Sequence, residues 1–84
     1  MRVEKRDGRL EDFDRNKISG GVVKAGAPAE VAASVAVLVE SWAQKAAENE
    51  TIKSSDIRNK VIELLRLVDR EAANAFETYK KTLV

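Results

Sequence analysis

Lys5, Arg6 and Arg9 crowd around the dipeptide Asp7-Gly8, and Lys17 follows a few residues later. On a chain whose formal net charge is only +1, cations gathered this closely repel one another unless an anion sits among them. The chemistry on offer is therefore anion binding. If a helix starts at Asp14, Lys17 lies in its first turn, where free N–H groups and the helix dipole already favour negative charge. A lysine at that place makes sense beside an anionic ligand. Ser54-Ser55 stand at a second expected helix start and bring hydroxyls and exposed N–H groups, the parts of a phosphate seat; simple capping explains them equally well. Arg58, one turn further on, is either a phosphate ligand or a solvated charge. For Lys5, Arg6 and Arg9 the competing explanation is an edge strand guarded against aggregation by its charges. Lys80-Lys81 already fit the dipole at a helix C-terminus.

Catalytic chemistry fails on inventory. The chain has neither histidine nor cysteine, which removes the commonest general base, the thiol nucleophile and the usual zinc ligands. It has no GxxxxGK[ST] loop, no GxGxxG and no serine flanked by the glycines of a nucleophile elbow. The expectation is a protein without enzymatic activity or a metal centre. With 15 basic and 14 acidic residues, the charge balance argues against direct nucleic-acid binding, for which a pronounced basic excess is the usual footprint. The N-terminal residues are charged and the longest uncharged stretch of the apolar segment runs only from Val31 to Val39. Neither a signal peptide nor a membrane span is expected, and the localisation expected by default is cytoplasmic.

These cations need elements to hold them, and 84 residues allow one small domain, 1–84, with a compact core. Residues 2–13 read as a hairpin around Asp7-Gly8. A two-residue loop would set Glu4 against Glu11 and Arg6 against Arg9, two like-charge pairs. A three-residue loop, Arg6-Asp7-Gly8, instead sets Arg2 against Asp12, Val3 against Glu11 and Met1 against Phe13, and is preferred. Strand alternation then places Met1, Val3 and Phe13 on one face with Lys5, Arg9 and Glu11.

Four helices follow, at about 15–24, 28–47, 55–68 and 70–82. Asp14 caps the first. Gly20-Gly21 weakens it by roughly 1 kcal/mol per glycine, which suggests the close approach of another backbone. The second, apolar nearly all round from Val31 to Val39, reads as a central pillar, with Trp42 continuing the face of Leu38. Thr51-Ile52-Lys53 suits a short third strand, Ser54-Ser55-Asp56 a cap, and Asp69 the cap of a last helix with Ala72, Ala75, Phe76 and Tyr79 inward. The fold class is α+β, mainly α: a four-helix bundle capped by a β-hairpin or a three-stranded mixed sheet.

The blocks Val3-Glu4-Lys5-Arg6-Asp7-Gly8, Glu11, Phe13-Asp14 and Lys17-Ile18, then Ile52-Lys53-Ser54-Ser55-Asp56-Ile57 with Val61 and Leu65, and finally Tyr79-Lys80-Lys81, resemble the ATP-cone family in order and over nearly the whole chain. Similar domains stand at the N-termini of ribonucleotide reductase large subunits, anaerobic reductases and the zinc-ribbon repressor of reductase genes, and in some archaeal kinases. The resemblance implies allosteric binding of ATP or dATP, with or without Mg2+, and the control of an attached or partner protein. Lys5 and Arg6 match positions near the triphosphate. The stretch from Glu11 through Phe13 and Asn16 to Lys17 matches the segment around base and ribose, and Ser54, Arg58 and Lys81 match further contacts. Gly20-Gly21 departs from the bulkier helix formers usual in the family. The implied partners are an adenine nucleotide and either a second copy or a larger regulated protein. The alternative is a cone-like dimerisation scaffold with a decayed nucleotide site, its seam running through Val35, Leu38 and Trp42.

Overall fold

A computed structural model describes the backbone of residues 1–83 and the side chains of residues 1–78. In chain order the elements are β1 (Arg2–Glu4), β2 (Leu10–Asp12), α1 (Arg15–Lys24), α2 (Ala29–Ala46), β3 (Thr51–Lys53), α3 (Ser54–Val68) and α4 (Arg70–Leu83). The fold is α+β and mainly α, four helices beside a three-stranded mixed sheet of order β2-β1-β3. β1 runs antiparallel to β2 and parallel to β3.

The hairpin adopts the three-residue register: Arg2 pairs with Asp12, Val3 with Glu11 and Glu4 with Leu10. Lys5 N–H donates to the Arg9 carbonyl at 2.8 Å and Gly8 N–H to the Lys5 carbonyl at 2.9 Å. Gly8 takes φ +88°, the left-handed bulge position that an unbranched Cα tolerates best. Both Asp7 carboxylate oxygens are used, one accepting from the Arg9 backbone N–H at 3.0 Å and the other from its Nε at 2.7 Å. Those bonds, the backbone one foremost, hold the Asp7 carboxyl below the usual aspartate range.

Asp14, extended at φ −133°, caps α1 by accepting from Asn16 N–H at 2.9 Å. Asp69 closes α3 and opens α4, accepting from Ala72 N–H at 3.0 Å. The α3 start differs from the capping expectation. β3 runs straight into α3, so Lys53 takes the N-cap place with φ −75° and ψ 140° and no side chain bonds to the first turn. Ser54 and Ser55 are pushed inside the helix, where a side chain no longer reaches forward to N2 or N3 as an N-cap must.

The core is a single cluster that includes Val22 of α1, Ala32, Val35, Val39 and Ala43 of α2, Ile52 of β3, Val61 and Leu65 of α3, and Ala72 and Ala73 of α4. Met1, Val3 and Phe13 pack on it from the sheet, so the apolar end of the hairpin lies over the helices. α2 is not enclosed on every side. It buries Ala32, Val35, Ala36, Val39 and Ala43 but leaves Val37 and Leu38 about half exposed. Val35 is therefore core and unavailable to a seam with another chain. Gly21 approaches a side chain and not a backbone: a Cβ there would lie 3.4 Å from the Phe76 ring, whereas one on Gly20 would meet nothing within 4 Å.

The α2–β3 loop carries strain. Asn49 and Glu50 have φ of 51° and 59°, and Glu48 and Thr51 exchange N–H···O bonds of 3.0 Å across them. Two consecutive left-handed residues closed this way are the type I′ pattern, which favours Asn-Gly. Asn49 suits its place, but the Glu50 Cβ costs about 1–2 kcal/mol. Glu50→Gly is expected to stabilise the protein by about 1 kcal/mol after the extra entropy of the unfolded chain is counted. Urea unfolding checks it; an unchanged or lower midpoint disproves the strain.

Candidate functional site

A cleft of about 480 Å³ opens between the hairpin, α1 and α3, with Phe76 of α4 at its back. Its size lies within the roughly 300–1,000 Å³ of small-molecule sites. Each wall follows from local periodicity. On β1 and β2, alternation directs Val3, Lys5 and Glu11 inward. On α1, Lys17, Ile18, Gly20, Gly21 and Lys24 recur at helical spacing, as do Ser54, Ile57, Arg58 and Val61 on α3. The floor is apolar, made by Val3, Phe13, Ile18, Ile57, Val61 and the Phe76 ring, and its rim is cationic.

The charges at the rim are unevenly paired. Glu11 lies between Lys17 Nζ at 3.6 Å and Arg9 Nη1 at 3.9 Å. Asp12 meets Arg2 at 3.5 Å, and Asp14 is committed to the α1 cap. Among the described residues, Lys5, Arg6, Lys24 and Arg58 form no ion pair. Arg58 also buries its Nε with no hydrogen-bond partner among those residues. A buried guanidinium N–H left unpaired is costly; Arg58 lines this cleft and also a second cavity beside Asn59, Ile62, Glu63, Arg66 and Glu77. The Asp14 carboxylate caps the start of α1, and Asp56 stands in the first turn of α3, which no side chain caps; both helix N-termini lie at the cleft.

Lys5, Arg6, Glu11, Phe13, Lys17, Ser54 and Arg58 are thus brought together around one cleft, as the sequence grouped them. Asn16 is not on its wall: it is exposed on α1, tied through its N–H to Asp14 and through its carbonyl to Ser19 Oγ at 3.2 Å. The side chains of Lys81 and Tyr79 lie outside those described. Sequence reasoning overlooked Lys24 and the place of Phe76 in the cleft. Lys24 had a signal, its seven-residue spacing from Lys17 on the glycine-bearing face; Phe76 had none nearby in the chain. Among the described residues no group of three or more His, Cys, Asp or Glu could hold a metal ion.

An apolar floor and a rim that holds more cations than carboxylates are an arrangement that can take an organic anion. The ATP cone domain model matches residues 1–83, and the chain belongs to the ATP-cone family. It is similar to the transcriptional repressor NrdR of Petrotoga mobilis, 32% identical over an alignment of 84 positions that covers 96% of this chain and 56% of the relative. The NrdR repressor of Syntrophus aciditrophicus is 41% identical over an alignment of 71 positions that covers 80% of this chain and 44% of that protein. An uncharacterized protein of Archaeoglobus fulgidus is 53% identical over 36 residues, 43% of this chain and 77% of its own length. The chain spans about half the length of the two repressors it matches.

Proposed function

We propose that this domain is a noncatalytic regulatory module that binds ATP or dATP and so controls an attached or partner protein. The observation that carries this reading is the cleft itself, in which Lys5, Arg6, Lys24 and Arg58 form no ion pair among the described residues and stand beside an apolar floor. The triphosphate lies along Lys5, Arg6 and Lys17, with Ser54, Arg58 and Lys81 as further contacts. Base and ribose occupy the apolar side by Phe13 and Glu11. Asn16, off the cleft wall, contributes only after α1 or the hairpin shifts.

The site suits recognition and not hydrolysis. A nucleoside triphosphate is attacked by a water that a positioned base or polar group must orient. Here Glu11 is drawn to Lys17 and Arg9, and Asp14 is held by the α1 amide. Control follows if the bound state favours one arrangement of hairpin and helices over another, since a ligand shifts an equilibrium only by its differential affinity. The repressors that the chain resembles are regulators of transcription by name, which fits a sensing role.

Calorimetric titration of ATP, dATP and GTP into the protein and into Lys5→Ala tests the reading. Adenine nucleotides should bind, and Lys5→Ala should weaken them about tenfold or more, the loss of one charge-assisted hydrogen bond of about 1.5–3 kcal/mol. No heat from any adenine nucleotide at millimolar concentration rules the proposal out.

A further inference from the structure

Of the four glycines, three have a reason in the fold. Gly8 and Gly26 hold φ of +88° and +107°, and a Cβ on Gly21 would already touch the Phe76 ring at 3.4 Å. Nothing among the described residues demands the fourth. Gly20 lies inside α1, on helical backbone that any L residue adopts, and a Cβ there would meet none of their atoms within 4 Å. A glycine in a helix interior disfavours folding about fivefold against alanine, and here no packing contact offsets that loss. The open space beside Gly20 is the cleft, whose α1 wall it shares with Lys17, Ile18, Gly21 and Lys24.

We infer that position 20 is glycine for the sake of the ligand: the bare backbone of α1 is the wall against which the base of the bound nucleotide lies, and Gly20 sets the width of the base pocket. This rests on the reading of the cleft as an adenine-nucleotide site and adds to that site a residue that contributes no side chain. Without a Cβ, the main chain can be approached by a ligand to van der Waals distance. Phe13 and Glu11 then border the base from the hairpin while Gly20 closes it from α1.

The surroundings select the base over the phosphates. Beyond the first turn of a helix the amides are taken up by the helix's own ladder, so Gly20 has no free donor to offer an anion. Ile57 and Val61 of α3 and Phe76 of α4 line the same cleft with apolar surface. The charged residues on this stripe of α1, Lys17 and Lys24, stand about one turn away on either side. A side chain at position 20 therefore competes with the base and leaves the triphosphate contacts of Lys5 and Arg6 intact.

Gly20→Ala and Gly20→Leu separate the needs of the ligand from those of the fold. Both should raise the urea midpoint, because each restores helix propensity. In calorimetric titrations ATP affinity should fall about fivefold in Gly20→Ala and about 100-fold in Gly20→Leu, the span of overpacking a filled site. Inorganic triphosphate, which carries no base, should behave alike in all three proteins. A Gly20→Leu protein that binds ATP as tightly as the unaltered one overturns the inference, as does a lowered urea midpoint in Gly20→Ala, which would give the glycine a role in the fold. An equal loss of ATP and triphosphate overturns it too, since the substitution would then act on the cationic rim. No heat from ATP or dATP with the unaltered protein is a different failure: it removes the nucleotide reading, and this inference with it.

Discussion

Leu65→Ala is expected to lower the stability of this domain by about 3–5 kcal/mol, the range of leucine truncations in a packed core. Leu65 is 0% exposed and is the largest of the fully buried side chains, in one cluster with Val22, Val39, Val61, Ala72 and Ala73. The small neighbours are the reason for the upper part of the range. Ala72 and Ala73 have no side-chain length with which to fill the void, and α2 and α4 cannot slide inward without disturbing their other contacts. A chain of this size has only about 4–13 kcal/mol to lose, and the midpoint of thermal unfolding should fall by about 15–30 °C. Leu67→Ala, two residues along the same helix and 79% exposed, should change stability by less than about 0.5 kcal/mol. Comparable losses from the two variants would mean that α3 packs by a different face.

Arg58→Met should move stability and binding in opposite directions. The Nε of Arg58 is buried without a hydrogen-bond partner among the described residues, and its charge meets no carboxylate among them. Methionine keeps much of the aliphatic volume and removes the orphaned donor, which costs about 1–3 kcal/mol where it stands. The nucleotide-free variant should therefore be more stable by about 1–2 kcal/mol, seen as a raised urea midpoint. Its affinity for ATP should drop about 10- to 100-fold, from the loss of a charge-assisted contact worth about 1.5–3 kcal/mol. Arg58→Lys, which retains the charge without the planar fork, should fall between the two in affinity. A destabilised Arg58→Met would make Arg58 a structural strut, and a stabilised variant with unchanged affinity would place it outside the site.

Much of the architecture was written in local rules. The like-charge pairs of the shorter loop were enough to choose the hairpin register, because cross-strand neighbours interact over short distances. Asp14 and Asp69 were legible as caps because each stands just before a run of helical periodicity. The outward face of α2 was not legible. Its middle is apolar all round, so no periodicity distinguishes Val35, which is core, from Val37, which is exposed; the contacts with α1 and α3 decide. Ser54 and Ser55 read as caps by type, and only the run of β3 directly into α3 displaced them. At the cleft, Lys5, Arg6, Lys17 and Ser54 were found by charge and position, whereas Phe76 arrives from a helix far along the chain. The glycine pair hinted at a close approach without revealing that an aromatic ring was the neighbour.

The parallel pairing of β1 with β3 joins the first residues of the chain to the segment that leads into α3. Nearly all of α1 and α2 must be gathered before those two strands can meet, and closing so long a loop is repaid only when the ends are already close. Three residue pairs hold the join, against the many apolar contacts that hold the helices. The cleft walls are thus joined by a short pairing that closes a long loop. A molecule gripping Lys5 on one side and Arg58 on the other would act as a staple across that join, coupling the presence of the ligand to the hold of the first strand on the rest of the fold.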